Sequence, residues 1–239
     1  MKVILCENYE EISEKGASIV KAQILLKPDS VLGLATGSTP KGLYKKLCGS
    51  DLDFSKITTF NLDEYYPLKS SDPQSYHSFM NENLFSKINI NLKNTHILDG
   101  ECSDPSAECE NFEKLIEESG GIDLQLLGIG RNGHIGFNEP AETLKCRTHI
   151  VKLTESTIKA NSRFFKSEDE VPKMALTMGV GTILSAGSII IMASGADKHY
   201  AVKHLLDNEI TTKVPATILK AHRNTVLICD KEAYYGSAD

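Results

Sequence analysis

The chain has little that would mark it for a membrane, a metal or a nucleic acid. No apolar run approaches the ~18 residues that suggest a membrane helix, and the amino end, Met1-Lys2-Val3-Ile4-Leu5-Cys6, has too short an apolar core for a signal peptide. The six cysteines (Cys6, Cys48, Cys102, Cys109, Cys146, Cys229) include no CxxC pair, which excludes a zinc ribbon or thioredoxin-type site and leaves reduced structural thiols as the plain reading. His199 and His204 lie on different faces of a helix, so they do not form a metal pair. Basic residues are dispersed and outnumbered, 26 Lys and Arg against 32 Asp and Glu, for a formal charge of −6. A phosphate backbone needs concentrated Lys and Arg, so no nucleic-acid partner is expected. There is no repeat, low-complexity tract or Pro/Gly/Ser-rich linker, and the 239 residues are expected to form one domain, 1–239. What remains is a cytoplasmic enzyme or sensor for a small molecule.

What is present is an alternation. Short β-rich apolar runs at 3–5, 31–35, 57–62, 95–98, 122–127, 150–153, 188–193 and 225–229 are separated by segments of helical period at 13–26, 40–47, 75–85, 106–118, 155–165 and 197–206. This rhythm predicts a single-domain α/β fold, Rossmann-like, with a largely parallel sheet flanked by helices on both faces. In such sheets ligands bind beyond the carboxyl ends of the strands, so the residues after each run carry most of the functional information.

After the second run comes Thr36-Gly37-Ser38-Thr39-Pro40, whose small residues and hydroxyls suit a phosphate at a helix start. The plainer alternative is a capped βα turn with Thr or Ser as N-cap. GxxxxGK[ST] is absent, so this is not a P-loop. After the third run come Asp63 and Glu64, where a carboxylate is placed to move a carbon-bound proton next to a carbonyl; the plainer alternative is a turn cap or surface ion pair. After the fifth run comes GIGRNGHIGFNEP, residues 128–140, with His134 between glycines and Glu139 five residues on. An unperturbed histidine titrates near 6.5, suited to proton exchange with a sugar oxygen, and Glu139 is placed to hold the ring. A structural histidine tying down the loop is the alternative.

Gly128, Gly130 and Gly133 also satisfy GxGxxG, but a dinucleotide site needs a helix near the third glycine, and HIGFNEP is a sequence no helix would choose. Arg163 and Lys198, the latter in SGADK after the run at 188–193, each offer a cation to an anion site. The charge run KSEDEVP at 166–172 is a solvated loop or, on a sharper reading, a mobile flap.

LGLATGSTP (32–40), NLDEYY (61–66), LGIGRNGHIGFNEP (127–140) and ANSRFF (160–165), in this order, resemble the signature segments of glucosamine-6-phosphate deaminases. The resemblance runs from Leu32 to Lys198 and implies conversion of glucosamine 6-phosphate to fructose 6-phosphate and ammonia on an isomerase-type α/β fold. It implies Asp63 as the base that carries a proton from C2 to C1, and His134 with Glu139 as the ring-opening acid. Thr36, Gly37, Ser38, Thr39, Arg163 and Lys198 would hold the phosphate, and 154–172 would form a lid. Neither metal nor organic cofactor is implied, because the substrate's carbonyl is the electron sink.

The chain departs from many members at Asn132, where they carry aspartate. An amide cannot accept a proton, so Asn132 is expected to orient His134 by hydrogen bonding while Glu139 does more. Members activated by N-acetylglucosamine 6-phosphate carry serines and basic residues where this chain has Glu142, Thr143, His149 and Val151, which implies an unregulated monomer. The alternatives are a 6-phosphogluconolactonase-like hydrolase, which needs no C–H base, and a non-catalytic sugar-phosphate sensor, for which no helix-turn-helix segment is readable before Leu32.

Overall fold

The computed structural model describes residues 1–237, and for Ala160 and Phe164 the backbone alone; the last two residues of the expected domain and those two side chains of ANSRFF lie outside the described residues. The strands are β1 (Lys2–Cys6), β2 (Val31–Leu34), β3 (Thr58–Asn61), β4 (Asp63–Tyr66), β5 (Thr95–His96), β6 (Leu124–Gly128), β7 (His149–Lys152), β8 (Met174–Thr177), β9 (Ser188–Ala193) and β10 (Thr225–Asp230). The α-helices are α1 (Tyr9–Leu26), α2 (Lys41–Cys48), α3 (Tyr76–Asn83), α4 (Pro105–Glu118), α5 (Glu155–Asn161), α6 (Val180–Leu184), α7 (His199–Leu206) and α8 (Lys231–Tyr235). Among the described residues, no helix is long and apolar enough to cross a membrane.

Seven strands form a parallel sheet in the order β1-β10-β9-β6-β2-β3-β5. Its central strands are near-continuous apolar runs, and Ile189, Ile190 and Ile191 are fully buried, as covering on both faces requires. The two faces can be followed through the register. Gly33 lies opposite both Phe60 and Gln125, and Gln125 opposite Ile189, so these share a face, and Phe112 of α4 packs edge-on against Phe60. Met192, three residues beyond Ile189, points to the opposite face, where Gly16 of α1 meets it together with Leu43 of α2.

Local sequence sets the ends of these elements. α1 starts at Tyr9, earlier than its apolar period suggests, because the Asn8 side chain accepts the Glu11 N–H as N-cap; α4 starts behind Asp104 with Pro105 in its first turn. The segment at 155–165 is helical only to Asn161 and finishes in a 3₁₀ turn, Ser162–Phe164.

Two expected strands fall differently. The run at 57–62 contributes Thr58–Asn61 to the large sheet, after which Asp63 opens β4 in a second, antiparallel sheet, β4-β8-β7. The run at 150–153 therefore belongs to this smaller sheet. The joint is Leu62, whose N–H donates to the Leu34 carbonyl of the large sheet while its own carbonyl accepts from Met178 just past β8. A small core of Tyr65, Phe137, Leu153, Ile158, Val171 and Ala175 packs the antiparallel sheet against the segment that follows β7.

Candidate active site

β2 and β6 pair only through Leu32–Leu124 and Gly33–Gln125. Beyond that register they are not paired, and this is also where strand order reverses: β3 and β5 lie on the β2 side, β9 and β10 on the β6 side. The crevice between them is the topological switch point where such sheets take ligands. The 36–39 loop, the 128–140 segment and SGADK follow three adjacent strands, β2, β6 and β9.

In the first loop Gly37 has φ +92°, and the N-cap of α2 is Pro40 with no side-chain cap, so no Thr or Ser is spent on capping. The loop is held instead by Tyr9, whose hydroxyl accepts the Gly42 N–H at 2.8 Å and shares its proton between the carbonyls of Ser38 and Thr39, both at 3.0 Å. The hydroxyls of Thr36, Ser38 and Thr39 make no hydrogen bond to described residues and remain available to an anion, next to the positive end of α2.

Lys198 ends the 3₁₀ turn Ala196–Lys198 behind Gly195, whose N–H donates to Asp230. Burial lowers the Lys198 pKa, Asp197 opposes that, and Arg131 and Arg163 push it down further. The expected cations Arg163 and Lys198 are thus close enough to repel each other. Arg131 joins them through Asp197, which meets its Nε at 2.7 Å and Lys198 Nζ at 3.8 Å.

Asp63 and Glu64, adjacent in sequence, have opposite surroundings. Glu64 is fully buried and accepts the backbone N–H groups of Tyr65, Tyr76 and His77 and faces His77 Nδ1 at 3.0 Å, which anchors the start of α3. Asp63 is 7% exposed, and its carboxylate has no hydrogen-bond partner among the described residues. Burial, helped by the neighbouring Glu64, pushes its pKa up to about 8.

No helix follows Gly133, so the dinucleotide reading has no support in the backbone. Instead the segment is stapled to the end of β8. The Phe137 N–H donates to Thr177 Oγ1, and the Asn138 amide donates to the carbonyls of Ile135 and Met178. Gly136 lies against Thr177 and Asp63: a Cβ there would be 2.8 Å from Thr177 Oγ1 and 3.6 Å from Asp63 Oδ2. The glycine-rich segment is therefore brought directly onto Asp63.

The His134 ring lies on Gly130, where a Cβ would come within 2.4 Å of it. Its Nδ1 faces Glu139 Oε1 at 3.2 Å, an ion-pair contact rather than an aligned hydrogen bond. Asn132 does orient His134, but not at the ring: its Oδ1 accepts the His134 backbone N–H, and its amide donates to Glu139 Oε2 at 2.7 Å. Glu139 also accepts from the Thr157 hydroxyl on α5. Burial raises the Glu139 pKa, but the contacts with His134, Thr157 and Asn132 outweigh it and hold the carboxyl below its ordinary range. Two carboxylates pushed in opposite directions beside one crevice suit acid–base chemistry in two roles. Tyr9, Arg131 and Thr157 escape a reading of the sequence, since each acts through a partner at least 18 residues away.

A family model described as glucosamine-6-phosphate isomerases/6-phosphogluconolactonase matches residues 7–228. Curated glucosamine-6-phosphate deaminases are similar throughout: that of Halothermothrix orenii is 55% identical over 98% of both chains, and that of Clostridioides difficile 52% identical over 98% of this chain and 95% of its own. A solved structure described as a monomeric glucosamine-6-phosphate deaminase matches with a TM-score of 0.96 and 48% identity, over 99% of this chain and 100% of that one. The 6-phosphogluconolactonase of Thermotoga maritima shares the fold, with a TM-score of 0.78 at 22% identity over 96% of this chain and 99% of its own.

Proposed function

Because this chain belongs to the glucosamine-6-phosphate isomerase/6-phosphogluconolactonase family, we propose that it deaminates glucosamine 6-phosphate, giving fructose 6-phosphate and ammonia. The observation that carries the choice within the family is Asp63, a buried carboxylate with no partner among the described residues, against the loop that holds His134 and Glu139. Lactone hydrolysis has no use for a C–H base; aldose–ketose isomerisation by proton transfer through an enolamine needs one.

The residues divide the steps between them. Thr36, Gly37, Ser38 and Thr39, with Arg163 and Lys198, hold the 6-phosphate at the start of α2. His134, its ring held by Glu139, gives a proton to the ring oxygen and takes the one leaving the O1 hydroxyl, which frees the C1 carbonyl. Asp63 takes the C2 proton, and the electron pair moves to the carbonyl oxygen, which takes back the proton His134 holds. The nitrogen lone pair then drives the enolamine to accept the Asp63 proton at C1, leaving the C2 iminium. The C2 iminium adds water and expels ammonia, so the overall reaction is a hydrolysis that contains an isomerisation. Residues 154–172 form the lid, α5 and two 3₁₀ turns seated on the small core, and its closure keeps water from the enolamine.

Ammonia release from glucosamine 6-phosphate, measured beside hydrolysis of 6-phosphogluconolactone, tests this reading. Release from the amino sugar alone is expected, and lactone hydrolysis alone would replace the proposal with its rival.

The reading includes a cytoplasmic monomer that works without metal or organic cofactor and is not activated by an acetylated sugar phosphate. The solved relative at 48% identity is described as monomeric. Velocity is expected to rise hyperbolically with substrate and to be unmoved by N-acetylglucosamine 6-phosphate; a sigmoidal curve relieved by that compound would refute this part.

Asn132→Asp is expected to change the pH dependence rather than abolish turnover. It would set a carboxylate against Glu139 Oε2, where the amide now donates at 2.7 Å, and two carboxylates at that distance share a proton. One pKa of the pair rises, so the acid limb of kcat moves to higher pH. A complete loss of turnover across the pH range would mean that Asn132 does more than orient its neighbours.

A further inference from the structure

We propose that Thr157 is a positioning residue for ring opening, through which the seating of α5 sets the orientation of Glu139 against His134. The inference rests on the deamination reading for its kinetic consequences and on the hydrogen-bond chain for its geometry.

Each oxygen of Glu139 has its own donor. Oε2 takes the Asn132 amide, and Oε1, which faces His134 Nδ1, takes the Thr157 hydroxyl. Thr157 is 5% exposed, so water does not stand in for that donor. Counting protons gives the chain a direction. Thr157 gives its one hydroxyl proton to Glu139 and therefore accepts from Thr154 Oγ1 at 3.1 Å. Thr154 has then spent its own proton, so the contact of 2.9 Å with Ser156 Oγ runs from Ser156 to Thr154.

Thr154 is also the N-cap of α5, accepting the Thr157 N–H at 3.2 Å. The relay Ser156 to Thr154 to Thr157 to Glu139 ties the first turn of the lid helix to the carboxylate that holds the ring of His134. A hydrogen bond to an ionised group weakens steeply with distance and angle, so a small displacement of α5 removes the donor from Oε1, the oxygen that faces His134, and leaves the carboxylate held by Asn132 alone. Ring opening is thereby conditional on the lid being seated.

Thr157→Val preserves the shape of the side chain and removes the hydroxyl; Thr157→Ser keeps the hydroxyl and removes the methyl. With glucosamine 6-phosphate, Thr157→Val is expected to lower kcat by about 10–100-fold, the worth of a hydrogen bond to a charged group, with KM changed less than about threefold. Thr157→Ser is expected to restore kcat to within about threefold. Wild-type kcat in Thr157→Val, a rise in KM with kcat intact, or a serine variant as slow as valine would overturn the proposal.

A wild type that releases no ammonia would defeat the deamination reading alone. The positioning role is then read from NMR titration of Glu139, whose neighbours are His134, Asn132 and Thr157. Its carboxyl is expected to titrate higher in Thr157→Val than in wild type, and an unchanged titration would overturn the proposal.

Discussion

Asp63→Asn is expected to slow ammonia release by about 10²–10⁴-fold, the usual worth of a positioned acid–base group, and at the same time to raise the melting temperature. Both effects follow from one feature, a carboxylate that is 7% exposed and has no hydrogen-bond partner among the described residues. Desolvation makes it a strong base and, for the same reason, a destabilising one. Its pKa is pushed from 3.8 to about 8, so between these values the folded protein holds a proton that the unfolded chain has released. Stability then falls with rising pH across that window.

Asparagine carries no charge and escapes the penalty. The gain is on the order of a few kcal/mol at pH 8, or roughly 5–10 °C for a chain of this size. It should be small near pH 4, grow toward pH 8 and level off above. In the wild type, kcat/KM should fall as pH drops below about 8, because the free enzyme then carries a protonated Asp63. Thermal melts and rates across pH 4–9 check both; a variant no more stable than wild type at pH 8 would rule out the desolvated-carboxylate account.

His134→Gln and Glu139→Gln should each lower kcat by about 10²–10³-fold, and the double variant should be no slower than the worse single one. The ring and the carboxylate meet at 3.2 Å and on the proposed reading act as one acid, so removing either is expected to leave the other without its task. Losses that multiply would show two independent contributions and defeat the pairing. The stability signature is opposite to that of Asp63. The Glu139 carboxyl is held below its ordinary range, so its contribution is present above the unfolded pKa of 4.5 and is lost as pH falls through the lower folded value. Glu139→Gln should therefore cost stability at neutral pH and less in acid.

Much of this was legible in the sequence where the chemistry is local. The apolar run ending at Ala35 and the hydroxyl-rich turn behind it, the acid pair after Leu62, and a histidine set among glycines each mark a candidate site within a few residues. What stayed hidden depends on contacts made by folding. β4 is missed because Asp63-Glu64-Tyr65-Tyr66 has no apolar alternation, and β8 because its four residues follow a charge run that reads as loop. The Asp63-Glu64 pair cannot be resolved from sequence either: Glu64 is the anchor only because the start of α3 arrives beside it. That Asn132 hydrogen-bonds to His134 is an expectation of the sequence, but which atoms meet, the His134 backbone N–H on one side and Glu139 Oε2 on the other, is set by the fold.

The passage of the chain at Leu62 from one sheet to the other has a metric consequence. The Thr36–Thr39 loop and Lys198 follow strands of the large sheet, whereas Asp63 and the segment that carries Arg163 belong with the small one, and the two sheets are joined where Leu62 bonds to Leu34 on one side and Met178 on the other. On the proposed reading the joint sets a ruler, with one mark at the phosphate and another at the C2 proton. An amino sugar phosphate one carbon shorter is then expected to reach either mark, but not both, so that chain length is measured before any hydroxyl is read.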